Sequence, residues 1–317
     1  TAHRRTASEA VLVGDAHPAN ICQGNFEIGS GLAEPHAVVL APCAVFYYPL
    51  CYYLLPTENN SPEIHRMNKP EFIIPDWPVS PHIKALTTTR DGGFSLGPYA
   101  SFNLSARTGD DPALVRSNRQ LLRESLKLPS EPLWLSQVHG KRVIDAFEAG
   151  PGEEADGCIT STPGVVCAVL TADCLPIFLC DRRGSRVGML HAGWRGLAAG
   201  IIEDGLRKMQ VPTGNMLAWL GPAIGPSAYE VGEDVRQAFV TQDPKAEAAF
   251  TPVPGRRGFW FADMYGLARK RLHDQGVHDI YGGLRCTYRE RNLFYSYRRD
   301  GACGRMASLI WLAKRPR

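Results

Sequence analysis

Between Val165 and Met209 the apolar residues change their spacing, and this stretch does most to restrict the folds open to the chain. Val165–Leu170 is a continuous apolar run rich in valine, as expected of a strand buried on both faces. Leu175–Cys180 and Arg186–Leu190 flank Asp181-Arg-Arg-Gly-Ser185, a strand–turn–strand pattern that predicts a hairpin. Trp194, Leu197, Ala198, Ile201, Ile202, Gly205, Leu206 and Met209 then recur at intervals of three and four, which predicts one helix packed on that sheet.

Elements on either side extend the pattern. Ile83–Thr89 reads as a strand entering a turn at Asp91-Gly-Gly93, and Asp111-Pro112 starts a helix over 112–127. Leu133–Ala146 reads as a strand bent at Gly140, Met216–Leu220 as a strand, and Glu233–Gln242 as a helix. Asp263–Gln275 has an aspartate cap and Gly276 at its end, and Arg305–Leu312 is a final strand. This mixed order predicts an α+β domain of mixed sheets layered with helices, α/β/β/α in arrangement, rather than a Rossmann repeat; no GxGxxG or phosphate-binding loop occurs.

The ends of the chain differ in charge. Residues 1–66 hold no lysine, three arginines and six acids, a net −3, whereas the remaining 251 residues carry 32 basic and 26 acidic side chains, a net +6. Val45–Leu55 is apolar and aromatic, but Pro42, Pro49 and Pro56 argue against a lone spanning helix. We read 1–66 as a poorly ordered extension upstream of a natural start at Met67, and 67–317 as the functional domain. A formal charge of +3 makes neither nucleic acid nor an anionic membrane the default partner. Nine cysteines without a CxxC pair suggest free thiols in a reducing cytoplasm.

The hairpin carries the chemistry. Cys174 and His191 lie symmetrically about a turn centre between Arg182 and Arg183, so a thiol and an imidazole are expected to face each other at its open end. His139, in Ser136-Gln-Val-His-Gly140, sits where a strand meets a glycine that permits a bend. Three ligands from separate strand ends leave a fourth position open, the arrangement of a catalytic zinc whose bound water has a pKa near about 7. The same set serves a blue-copper centre, although the few remaining histidines include no His-x-His pair for a further copper cluster. It also serves a cysteine hydrolase with Cys174 as nucleophile and His191 as base. The plainer alternative is a buried apolar cysteine beside core histidines.

Other residues are candidates by type and neighbourhood. Arg90, in Arg90-Asp-Gly-Gly93, and Arg298, in Tyr297-Arg-Arg-Asp300, offer guanidinium groups to an anion. Asp173 and Glu230 are carboxylates available for acid–base work or substrate contact. Trp194 and Phe294 are aromatic rings able to stack on a flat ligand or to fill the core. Leu220-Gly-Pro-Ala-Ile-Gly-Pro226 reads as a rigid structural loop.

Ser136–Gly140, Ala155-Asp-Gly157, Thr171-Ala-Asp-Cys174, His191-Ala-Gly-Trp-Arg-Gly196, Leu220–Pro226 and Phe294–Asp300 occur in an order that resembles the bacterial laccase-domain family. Its members carry the names polyphenol oxidase, peptidoglycan editing factor and purine nucleoside phosphorylase. The resemblance covers 67–317 and implies a single mixed α/β domain with zinc on His139, Cys174 and His191. It also implies phosphorolysis of adenosine, inosine or guanosine to base and ribose 1-phosphate, with methylthioadenosine phosphorolysis and adenosine deamination beside it. Arg90 and Asn103 match pocket positions in Thr-Arg-x-Gly-Gly and Phe-Asn-Leu and are candidates for phosphate or ribose contacts. Competing readings are a Cys–His amide hydrolase acting on peptidoglycan precursors, a copper polyphenol oxidase, and a zinc-bearing binding module without turnover. The expected partners are small molecules, with the chain a monomer or weak homodimer.

Overall fold

The computed structural model describes residues 69–314, so the expectations for the N-terminal extension and its apolar run lie outside the described residues. In chain order the strands are β1 (Phe72–Ile73), β2 (Ile83–Thr88), β3 (Val143–Asp145), β4 (Gly157–Thr160), β5 (Val166–Thr171), β6 (Leu175–Asp181), β7 (Val187–Ala192), β8 (Met216–Leu220), β9 (Glu230–Gly232), β10 (Phe250–Pro252), β11 (Phe259–Ala262), β12 (Asp279–Gly282) and β13 (Met306–Leu312). The α-helices are α1 (Pro112–Leu126), α2 (Trp194–Ala199), α3 (Ile201–Met209), α4 (Glu233–Val240), α5 (Met264–Asp274) and the single turn α6 (Tyr297–Asp300).

Strands β1-β2-β13-β5 form an antiparallel sheet, and β12-β8-β6-β7-β4-β3 form a larger mixed sheet whose outer pairs are parallel. These sheets pack face to face through Cys167, Val169, Ile310 and Leu312 on one side and Phe178, Cys180, Met189 and Trp219 on the other. The opposite face of the larger sheet, including Ile177, Leu179 and Leu190, lies under Leu197, Ile201, Ile202 and Leu206 of α2 and α3 and Leu267 and Leu272 of α5. Helix α1 covers the outer face of the smaller sheet, with Leu122 against Val166, Ala168 and Leu309. The fold is therefore α+β, layered α/β/β/α. Strand β6 is apolar at consecutive positions because both of its faces are covered, and each fully buried Leu, Ile or Phe contributes about 1.5–3 kcal/mol.

The Asp111 and Asp263 side chains accept from the Ala113 and Gly266 backbone N–H groups and cap α1 and α5 as the sequence predicts. Three local expectations need correction. The single helix over 194–209 is two helices, because Gly200 adopts a φ of 98° and ends α2 before α3 begins. The strand expected over Leu133–Ala146 reduces to isolated bridges at Leu133 and Ser136 and the short β3, because the intervening backbone N–H groups turn toward a buried carboxylate, Asp156.

The third correction is register. The hairpin pairs Leu175 with Ala192 and Pro176 with His191, two residues away from the expected Cys174–His191 pairing. The Asp181 carboxylate accepts from the backbone N–H groups of Ser185 and Arg186 and closes the turn one position further along. A shift of two preserves the face on which each side chain lies. Cys174 thus extends beyond the last pair and remains diagonal to His191. A three-stranded sheet, β10-β11-β9, lies in a region where the sequence shows only helices.

Candidate metal centre

Three short segments bring His139, Cys174 and His191 together, with one ligand atom from each lying within 4.8 Å of the others. Cys174 follows Ala172 and Asp173 in the link between β5 and β6, where the chain leaves one sheet for the other. His191 is the penultimate residue of β7 and is buried. His139 is exposed and occupies a left-handed backbone conformation, φ 61°.

Asp156 organises two of these segments. Its carboxylate accepts from the backbone N–H groups of Val138 (3.2 Å), His139 (2.9 Å) and Gly140 (2.7 Å), and lies 2.8 Å from His191 Nδ1. The backbone bonds hold His139 in its unusual conformation, and the imidazole contact leaves His191 Nε2 as the ligand nitrogen. Burial tends to raise the Asp156 carboxyl pKa, but His191 and the backbone N–H groups hold it below the ordinary value.

Burial also opposes the charged Cys174 thiolate, yet the imidazoles of His191 and His139 outweigh it and bring the thiol pKa down to about 6. For His191, burial opposes the cation, while the Cys174 thiolate and Asp156 raise its pKa to about 9. A thiolate between two imidazoles is a donor set suited to a soft or borderline transition metal. Ligands of a tetrahedral ion bonded at about 2.0–2.3 Å are separated by roughly 3.3–3.8 Å, so the observed cluster needs only a small closure.

Neighbouring sequence features account for this approach. A Cβ on Gly193 would lie 2.8 Å from His139 Cδ2 and 3.2 Å from Cys174 Sγ, and one on Gly196 would lie 2.4 Å from the Gly140 carbonyl oxygen. The side-chain amide of Gln137 donates to the Leu170 carbonyl and accepts from the Leu170 N–H, docking the His139 segment on the end of β5.

Asp173, at φ 89°, is buried behind the ligand it precedes. Its carboxylate accepts from Thr287 Oγ1 (2.6 Å), Ser296 Oγ (3.0 Å) and the Arg298 backbone N–H (2.7 Å), while its carbonyl accepts from Ile224 N–H. It thereby joins the β5–β6 link to the start of α6 and to the Gly221–Pro226 loop.

The ligand cluster opens into a cleft of about 510 Å³ whose walls include Arg107, Leu135, Leu170, Thr171, Tyr297 and Arg305. Arg90, Asn103, Glu230 and Arg298 do not line this cleft. Arg90 Nε and Nη2 donate to the Ala100 carbonyl, Nη1 donates to the Arg291 carbonyl, and the guanidinium lies over the Tyr295 ring. Asn103 is buried, and its Nδ2 donates to Ser105 O, Thr108 Oγ1 and Asp110 Oδ2. Glu230 pairs with Arg256, and Arg298 donates to the Glu230 carbonyl. Phe294 is core, and Trp194 packs against the core under Arg195.

Asp156, Arg107 and Arg305 are absent from the candidates that residue type and spacing offer. Asp156 lies in Ala155-Asp-Gly157, one of the motifs that carry the family resemblance, and that is its one signal in the sequence. The two arginines come from distant loops, and only the fold brings them together.

With its sheets, helices and ligand cluster in place, the chain belongs to the multi-copper polyphenol oxidoreductase laccase family, whose model matches residues 84–313. It is 51% identical over 243 residues to "Purine nucleoside phosphorylase YfiH" of Escherichia coli (strain K12), a match covering 76% of this chain and 99% of the relative. It is 49% identical over 245 residues to "Purine nucleoside phosphorylase PA4543" of Pseudomonas aeruginosa, covering 76% and 98%. Among solved structures, Neisseria meningitidis protein NMB0706 is similar at a TM-score of 0.74 and 48% identity, covering 77% of this chain and 99% of that one.

Proposed function

We propose that this chain is a zinc-dependent purine nucleoside phosphorylase that converts adenosine, inosine or guanosine and phosphate to free base and ribose 1-phosphate in the reducing cytoplasm. In this reading residues 67–317 form the catalytic domain. The observation that carries the proposal is the His139–Cys174–His191 cluster opening into a cleft, in a chain about half identical to relatives named for this activity. Three protein ligands suit zinc with an open position, and zinc held there supplies Lewis acidity and positive charge beside the substrate.

The protein's own groups perform the remaining tasks. Tyr297, Leu135, Leu170 and Ala172 offer an aromatic and apolar surface for a purine ring. Asp156 fixes the orientation and tautomer of His191, and Asp173 positions the start of α6, which carries Tyr297. Arg90, Asn103, Glu230 and Arg298 act from the surrounding structure through the bonds they already make. Methylthioadenosine phosphorolysis and adenosine deamination belong to the same proposal as side activities of the one cleft.

A second reading is favoured by the thiolate–imidazolium character of Cys174 and His191, which suits a metal-free amide hydrolase. Chromatography of inosine and adenosine reactions with and without phosphate, on protein of measured zinc and copper content, separates these readings. The phosphorylase reading expects zinc near one per chain and hypoxanthine release that requires phosphate. Zinc-replete protein releasing no base in a phosphate-dependent manner rejects it. Amide cleavage by metal-stripped protein supports the hydrolase, copper-dependent phenol oxidation supports the oxidase, and zinc without turnover supports a binding module.

A further inference from the structure

We propose that Arg107, Arg305 and the Thr171 hydroxyl form an oxyanion subsite in the cleft, which takes inorganic phosphate. The cleft walls contain these two guanidinium groups and no carboxylate. Neither arginine forms an ion pair among the described residues, so the positive charge is left for a ligand.

Both side chains are held in place with donors to spare. Arg107 Nη1 donates to Ser136 Oγ at 2.6 Å, while its Nε and Nη2 have no protein acceptor among the described residues. Arg305 Nη1 donates to the carbonyls of Cys303 (2.7 Å) and Gly304 (3.0 Å), leaving Nε and Nη2. The Arg305 backbone N–H donates to Asn103 Oδ1, which ties the β13 end of the cleft to the loop that carries Arg107.

Thr171 supplies an independent sign of a ligand. The residue is 1% exposed, lines the cleft, and its hydroxyl is one of only two buried side-chain polar atoms without a partner among the described residues. Such an orphan is unfavourable unless a ligand or water satisfies it. Arg90 offers no comparable site, since all three of its guanidinium nitrogens are engaged by backbone carbonyls.

The chemistry rests on the phosphorylase reading. A phosphate oxygen forms a bond to ribose C1′ as the C1′–N9 bond breaks; the bonding electron pair leaves with the purine, which takes the proton that the phosphate gives up. Guanidinium groups at the phosphate keep its charge close to the electron-poor C1′ without reorganisation during the step.

Two measurements test the subsite. In steady-state assays of the zinc-loaded chain, Arg107→Gln and Arg305→Gln should each raise the phosphate KM at least about tenfold while the inosine KM stays within about twofold. Thr171→Val should raise it a few-fold, and Arg116→Ala on the exposed face of α1 should not change it. Unchanged phosphate KM in both Gln variants overturns the proposal, as does an equal rise in Arg90→Ala, which would move the subsite elsewhere. Thermal shift with inorganic phosphate alone provides the second measurement and needs no turnover. Phosphate should stabilise the wild-type chain, and folded Arg107→Gln/Arg305→Gln protein should lose that stabilisation. If the wild type lacks phosphorolysis, the function fails while the shift still decides the subsite; no shift in the wild type rejects the subsite itself.

Discussion

Asp156 and Asp173 are two buried carboxylates beside one ligand cluster, and they are used differently. Asp156 contacts a ligand imidazole and the backbone of the segment carrying another ligand, so it governs both protonation and placement. Asp173 contacts no ligand side chain; it gathers two hydroxyls and one backbone N–H from the segment that leads into the cleft wall. Burial alone therefore does not tell what a carboxylate does. The partners decide, and here they separate control of the His139–Cys174–His191 cluster from control of the surrounding wall.

The sharpest way to break this distinction is Asp156→Ala. Three backbone N–H groups and a buried imidazole would lose their acceptor, with an expected loss of about 3–5 kcal/mol in stability. Metal affinity should fall about 10–100-fold. Urea unfolding and metal titration with a competing chelator measure both.

Gly193→Ala attacks the ligands from the other side, through a Cβ that would meet His139 Cδ2 and Cys174 Sγ. Metal affinity should drop by about tenfold with a smaller change in stability, as read by the same chelator competition. Asp173→Ala should cost about 2 kcal/mol, because two hydroxyls and one N–H are orphaned. Its metal affinity should remain within about threefold of wild type while the nucleoside KM rises. Equal loss of metal in the Asp156 and Asp173 variants would remove the distinction.

The smallest effect is on acid stability. The folded pKa of Asp156 is lowered, so its contribution is complete above the unfolded value of about 4 and is lost as pH falls through the folded value. The difference in urea midpoint between wild type and Asp156→Asn should therefore shrink as pH falls below about 4. A difference that grows in acid would contradict the assignment.

Much of the layered core was legible because hydrophobic period reports directly on burial: β6 and β8 are apolar throughout, and α3 shows a clear stripe. The three ligands were legible as chemical types at strand ends. Their register was not, since symmetry about the turn could not anticipate the two backbone bonds to Asp181. The β9–β11 sheet is not legible in the sequence because its strands are three or four residues long and carry little periodic pattern. Arg90 stands out in the sequence as an arginine in a glycine-rich turn, whereas the engagement of its guanidinium by the distant carbonyls of Ala100 and Arg291 is visible only in the fold. Arg107 and Arg305 had no local pattern linking them, although they line one cleft.

The short link Ala172-Asp-Cys174 crosses from the smaller sheet to the larger one, while His191 belongs to the larger sheet and His139 to a loop docked on the end of β5. An ion bound by all three would act as a rivet between layers that otherwise adhere through apolar packing. The ligand set is complete only when both sheets have docked, so metal capture would come late in folding and its affinity would report how well the layers are joined. Bound metal should accordingly slow the unfolding step in which the sheets part more than it speeds the formation of the β6–β7 hairpin.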